Sequence, residues 1–416
     1  MRHRLAAVPG APAAVPAAPR AHRALVALCI TVTTSYGVLF YAFPVLAPAI
    51  SADTGWSLTV VTAVFSGSQV VAGLGGAVVG RWLEAAGPRI VMSVGAVAAV
   101  PALAAIALAP GLWGFTAAWM LAGATMAGLF YPPAFAAITR WYGHGRVRAL
   151  TALTLVAGLA STIFAPLTAA LEHAVGWRGT YLALAFIFAL IVVPLHLLAL
   201  TPPWRRAADP GRGTVSTRAG AVGSVAASRA FLALTLALTL GAFGVYAVVV
   251  NLVPLLDARG FSAATAAWAL GIGGIGQVLG RLAYAPLERR AGPVARSVAV
   301  LAACSATTGL LAMVATPVAL VMAVALLAGM ARGIFTLLQA TAVADRWGTE
   351  RYATLNGILH TPLMLAIALA PWGGAALAGP LGGYPATFAV LAGLGALGAL
   401  AAGFTRTAAR SPRRSP

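Results

Sequence analysis

Long apolar runs separated by short polar breaks organise the whole chain. They fall at about 24–50, 58–80, 90–109, 112–139, 149–171 and 179–200, and again at about 230–256, 263–287, 294–316, 318–344, 353–375 and 384–405. Each has the roughly 20 residues a helix needs to cross a bilayer. Between the sixth and seventh runs lies a polar stretch, 201–229, holding Pro202, Pro203, Pro210, Gly211 and Gly213, which reads as a flexible linker. The pattern predicts an all-α membrane protein with twelve transmembrane helices. Its parts are a tail (1–23), a six-helix bundle (24–200), the linker (201–229), a second six-helix bundle (230–405) and a tail (406–416). The first 23 residues lack the apolar centre and cleavage site of a signal peptide, so the first run is expected to be an uncleaved helix.

Composition agrees: of 416 residues 61% are hydrophobic and 8% charged, with mean hydropathy +0.92. Soluble chains carry about 25% charged residues. The net charge of +19 comes from 27 Arg and no Lys against eight acids. Its distribution argues against nucleic acid as a partner. With the N-terminus on one side and strict alternation, twenty-three arginines fall on that side, Arg178 and Arg259 on the other, and Arg281 and Arg332 within spans. The positive-inside rule then puts both termini in the cytoplasm of a multi-pass cell-membrane protein, and an eleven-span arrangement would scramble the asymmetry. Cys29 and Cys304, far apart in apolar runs, form neither a metal spacing nor a disulfide framework.

The two halves repeat. Gly55-Trp56-Ser57 returns as Gly260-Phe261-Ser262 and Ala86-Gly87-Pro88 as Ala291-Gly292-Pro293, both 205 residues later. Phe130 and Pro166 return as Phe335 and Pro371 at that offset, and Arg140-Trp141 as Arg346-Trp347 at 206. Two parallel copies related by an axis along the membrane normal form a transporter architecture.

After the second span, Gly80, Glu84, Gly87 and Arg89 match the loop signature of the major facilitator superfamily, with Glu in place of the usual Asp and Ala85 where a basic residue is usual. The chain resembles that superfamily over nearly its whole length. The resemblance implies that these four residues form a conformational latch, the acid lying against a helix end across the bundle interface. Shorter motifs resemble the monocarboxylate transporter and oxalate–formate antiporter branch. They are Gly176-Trp177-Arg178-Gly179, Leu129-Phe130-Tyr131-Pro132-Pro133, Asn251-Leu-Val-Pro254, and Gln277-Val-Leu-Gly-Arg281, where the branch has Asp-x-x-x-Arg and its Arg binds the substrate carboxylate. Gly271-Ile-Gly273-Gly-Ile-Gly276 matches a dinucleotide fingerprint in letters alone; mid-span, with no preceding strand, it reads as a helix-packing stripe.

All eight acids fall in loops or at span ends, so Arg281 and Arg332 have no embedded carboxylate to neutralise them. An Arg at a span centre is costly; facing a cavity that receives an anion accounts for both. Packing against carbonyls remains open for Arg332, as does snorkelling to the interface for Arg281. Gln277, Asn251, Tyr36, Tyr131 and His360 complete the candidate substrate site, each with a helix–helix hydrogen bond as its alternative. His360 is also a candidate proton relay.

The expected function is secondary active transport of a small organic anion, with a monocarboxylate foremost, by alternating access. Protons or a counter-anion are possible co-substrates, and the expected assembly is a monomer in the lipid bilayer. Proton-coupled drug or metabolite efflux by the same superfamily is the alternative, and a sensor or receptor without transport a remote one. No enzyme constellation, metal cluster or cofactor motif is present, and without Lys no ATP-binding loop can form.

Overall fold

In the computed structural model the structure describes residues 18–142, 145–204, 224–348 and 352–405. Both tails beyond these limits, most of the linker, Glu350 and Arg351 lie outside the described residues. The first span comprises α1 (Ala18–Tyr36), a π-helical turn (Gly37–Tyr41) and α2 (Ala42–Thr54). Then follow α3 (Leu58–Ala86), α4 (Pro88–Leu108), a fourth span broken into α5 (Leu112–Leu129) and α6 (Tyr131–Tyr142), α7 (Arg146–Ala157) and α8 (Ala160–Ala199). Gly176, at φ 68° and ψ 173°, bends α8 back on itself, so that helix holds the end of the fifth span and the whole sixth. The second half contains α9 (Arg229–Asp257), α10 (Ala263–Arg290), α11 (Pro293–Met313), α12 (Val318–Thr341), the single turn α13 (Ala344–Trp347), α14 (Tyr352–Ala378) and α15 (Tyr384–Gly403). Among the described residues eleven helical stretches are long and apolar enough to cross a membrane. One of them, 52 residues long (Arg148–Ala199), makes two crossings around Gly176, which gives the twelve expected.

The repeated tripeptides are helix junctions. Gly55 and Gly260 sit at φ 73° and 81°, where glycine ends a helix without a Cβ penalty. Ser57 and Ser262 then cap the next helix by accepting the amides of Val60 and Thr265. Pro88 and Pro293 open α4 and α11 at the first turn, where a missing N–H has no consequence.

The apolar interior is shared unequally. One continuous cluster joins both halves, with Leu46 and Ile50 of α2 and Val249, Val253 and Leu256 of α9 among its members. Two others belong to single halves: Leu28, Trp141 and Leu153 in the first, Phe231, Phe335 and Leu359 in the second. The halves are therefore fused at the Arg-poor end and carry separate cores towards the Arg-rich end. Trp119 is fully buried, edge-on to Phe43, Phe65 and Tyr181. It fills the first bundle's core.

Candidate functional site

The seam between α3 and α14 shows where a cleft opens. Thr59, Ser66, Gly73 and Gly80 recur every seven residues and so share one face of α3. Thr59 donates to the carbonyl of Ala375 at 3.3 Å, and Ser66 accepts the amide of Trp372 at 3.0 Å. One and two heptads further on, a side chain added at Gly73 or Gly80 would meet nothing, and the same holds at Gly357 on α14. The bundles touch at the Arg-poor end and part towards the Arg-rich end.

Breaks in three helices of the first half frame the cleft. The π-helical turn lies at the middle of span one, where such turns often mark functional sites; the ring of Phe164 takes the space a Cβ at Gly37 would need. Span four breaks at Phe130, because Pro132 and Pro133 cannot donate the bonds that would continue α5. Span five breaks between α7 and α8. Tyr36 stacks on Phe130 with centroids 4.0 Å apart and lies 4.8 Å from Tyr131. Tyr131 is within Coulombic reach of Tyr41, Arg281 and Arg332, as Tyr246 of α9 is. Four half-buried tyrosines from both halves thus converge with the two embedded arginines.

Both arginines are buried, with 9% and 7% of their surface exposed. Arg281 does not snorkel: its guanidinium crosses between the bundles and donates to the carbonyl of Thr154 at the C-terminus of α7. A cation there complements the helix dipole. Arg332 reaches the side-chain oxygen of Gln277 at 3.3 Å and the carbonyl of Gly273 at 3.4 Å, both long bonds, and its Nε has no partner. A guanidinium carries five donors, so most of this one's capacity is unspent. Gln277 therefore acts here by holding Arg332.

Asn251 and His360 are engaged within the second bundle. Asn251, fully buried, donates to the carbonyls of Ala247 at 2.9 Å and Pro371 at 3.2 Å, tying α9 to α14. His360, half-buried on α14, donates through Nδ1 to the carbonyl of Asn356 one turn back, at 2.9 Å. Sequence reasoning missed Tyr246, which sits in a uniformly apolar stretch, and Thr154, which acts through its backbone.

The signature loop is engaged inside the first half. Glu84 accepts from Arg140 at 2.8 Å, and Trp204, at the start of the linker, stacks on that guanidinium at 4.1 Å. The same indole donates to the carbonyl of Glu84 at 3.2 Å and covers Gly87, whose φ of 81° and lack of a Cβ admit it. Arg89 donates to the carbonyl of Leu197 at 2.9 Å. In this conformation the acid faces α6 of its own bundle, because the cleft separates it from the other. The corresponding loop of the second half, around Arg289 and Gly292, is closed by Asp345 of α13, which pairs with the buried Arg296 alongside Glu288. That pairing crosses 49 residues and leaves no local motif.

The Glu84–Arg140 pair is 55% and 28% exposed, so its contribution to stability is no more than about 1 kcal/mol. Glu84→Gln is accordingly expected to leave folding and equilibrium substrate binding nearly intact and to slow turnover. Turnover equal to wild type at equal expression would reduce the loop to a solvated contact.

With this geometry in place, comparison with known proteins is informative. Residues 28–319, more than half of the chain, match the model of the Major Facilitator Superfamily. The chain belongs to that superfamily. It is a multi-pass secondary transporter and not an enzyme. Among its superfamily relatives, Monocarboxylate transporter 13 of Rattus norvegicus is 28% identical over 382 residues, covering 89% of this chain and 85% of that one. Monocarboxylate transporter 13 of Bos taurus is 30% identical over 275 residues, 65% of this chain and 61% of that one. Among solved structures, a bacterial homologue of the human lysosomal transporter Spinster, in an inward-facing and unoccupied conformation, has TM-score 0.70 at 16% identity, covering 94% and 95% of the two chains. The nucleoside transporter NupG, as a D323A mutant, has TM-score 0.72 at 14% identity, covering 91% and 98%. These likenesses establish the superfamily fold.

Proposed function

We propose that this chain carries a small organic anion, most simply a monocarboxylate, across the membrane, with Arg281 and Arg332 recognising its charge. The observation that carries the reading is the convergence of two buried guanidiniums on one aromatic cleft while the acids of the described residues lie in loops or near helix ends. A carboxylate matches a guanidinium fork bidentately, and a midplane site beside interrupted helices is where such carriers bind. Tyr36, Tyr131 and Tyr246 supply hydroxyls and ring faces for the rest of the substrate. Gln277 positions Arg332, and Asn251 holds the helix pair behind the site. Efflux of a cationic drug would place a cation beside two arginines. The Arg-rich end is taken as cytoplasmic, which makes the conformation described here open to the cytoplasm.

The test is uptake of labelled acetate, lactate, pyruvate and benzoate into proteoliposomes, with and without a pH gradient. Saturable uptake of at least one, abolished in the double variant Arg281→Gln/Arg332→Gln, is expected; no uptake of any would overturn the reading. Proton coupling, if present, runs through His360, whose Nδ1 is held by the carbonyl of Asn356. His360→Gln should then flatten the rate profile between about pH 5 and 8. A profile left unchanged while a pH gradient still drives accumulation would make His360 structural.

A further inference from the structure

The break in span five leaves the carbonyl end of a helix in the middle of the molecule, and the opposite bundle uses it. The carbonyl of Thr154 accepts the amide of Gly158 at 3.0 Å and the guanidinium of Arg281 as well. Gly158 has φ −60° and ψ −22°, an ordinary helical conformation open to any residue. Backbone geometry therefore does not call for glycine here. Contact does: a Cβ at 158 would lie 3.0 Å from Arg281 Nη1, 3.0 Å from Val278 Cγ2 and 3.1 Å from the carbonyl of Leu155. A Cβ there already requires Arg281 and Val278 to give way by a few tenths of an ångström, and a branched side chain would press Arg281 away from α7.

The position on the seam matters. Towards the Arg-poor end, Thr162 donates to the carbonyl of Gly271 at 2.8 Å, and Ser161 and Thr162 fill the space beside Gly274. One turn towards the Arg-rich end, Thr151 and Ala285 are exposed. Arg281 thus sits at the rim, where the α8–α10 seam gives way to the cleft, while the α3–α14 seam has already parted.

We propose that Arg281 alternates between two partners, the carbonyl end of α7 in the anion-free carrier and the substrate carboxylate in the loaded one, and that Gly158 is the positioning residue that makes the first partnership possible. The second half of this rests on the anion reading above; the clasp itself does not. A carboxylate offers a guanidinium an opposite charge and two parallel hydrogen bonds where a carbonyl offers one acceptor, so an anion in the cleft competes for Arg281. Losing the clasp removes a contact belonging to this conformation and shifts the population towards the alternative one. Binding is thereby linked to bundle movement without an embedded acid.

The test uses the full-length protein in nanodiscs, with Cys29→Ser and Cys304→Ser as background and spin labels at Ala52→Cys and Leu381→Cys, two exposed positions at the Arg-poor end. Pulsed dipolar spectroscopy then reports short (closed) and long (open) distances. Gly158→Val and Arg281→Gln are each expected to raise the long-to-short ratio about tenfold, the scale of one hydrogen bond to a charged group. The double variant should add nothing further, because both changes break one contact. Gly158→Ala gives a smaller shift in the same direction and serves where valine prevents folding. Saturating pyruvate, lactate or benzoate should move the wild type the same way and leave the double variant unmoved. Unchanged distances in Gly158→Ala and Arg281→Gln, or fully additive shifts, would overturn the clasp. Shifts on substitution with no response to any of the three carboxylates would keep the clasp and overturn its competition with substrate.

Discussion

Arg332→Gln is expected to weaken anion binding by about ten- to a hundredfold, because hydrogen bonds to charged groups are worth about 1.5–3 kcal/mol. The loss should exceed that of Arg281→Gln. In the conformation described, Arg281 already donates to the Thr154 carbonyl, and an incoming anion gains only the difference between the two partners. Arg332 has two long bonds and an unpartnered Nε, so an anion gains nearly the whole interaction. Arg332→Lys should fall between wild type and glutamine, since lysine keeps the charge and loses the fork. Gln277→Leu should reproduce part of the loss by releasing Arg332 from the side chain that holds it. Equilibrium binding of labelled anion to purified, monodisperse protein measures all four. Wild-type affinity in both Arg→Gln variants would remove the physical basis of the anion reading.

Gly276→Leu is expected to cost about 3 kcal/mol or more, the upper end of overpacking penalties, and to abolish recovery of folded protein. The glycines of α10 and α12 interlock backbone to backbone. The space a Cβ would need at Gly276 is filled by the carbonyl of Leu326, at Gly280 by that of Met330, at Gly329 by that of Gly273 and at Gly333 by that of Gln277. Carbonyls in a helix cannot swing aside as a flexible side chain can, so the helices must separate. Separation would also move Gln277 away from Arg332, which stands one residue before Gly333. Gly393→Leu on α15 is the matched control, being exposed with no neighbour within 4 Å, and should be recovered like wild type. Yield after detergent extraction and the thermal unfolding midpoint compare the two. Equal recovery would mean that α10 and α12 pack more loosely than their backbones indicate.

What could be read before folding was whatever acts through local pattern. Twenty apolar residues in a row must form a helix in a bilayer, since every backbone polar group has to be satisfied within the segment. The spans, their number and the twofold repeat therefore follow from composition along the chain. Junctions were legible for the same reason: Gly55-Trp56-Ser57 and Ala86-Gly87-Pro88 each end one helix and start the next through their own backbone and capping chemistry. Gly271, Gly273 and Gly276 could be recognised as a packing stripe from helical spacing alone. The arginines at 281 and 332 stood out because a charge inside a span demands a reason wherever it lies.

What those arginines touch was decided only by tertiary structure. Arg281 meets a backbone carbonyl 127 residues away, and carbonyls carry no side-chain signature. Gly158 looks like any small residue in a span until α10 lies against it. Glu84 was expected to reach across the bundle interface, yet it meets Arg140 and Trp204, because with the bundles parted at that end the nearest cation is in its own half. Asp345 closing the second loop, Asn251 tying α9 to α14 and Tyr246 joining the cleft are likewise meetings of distant segments. Spans that are apolar on every side do not announce their inward face, so which polar groups meet depends on how the helices pack within each bundle and between the two.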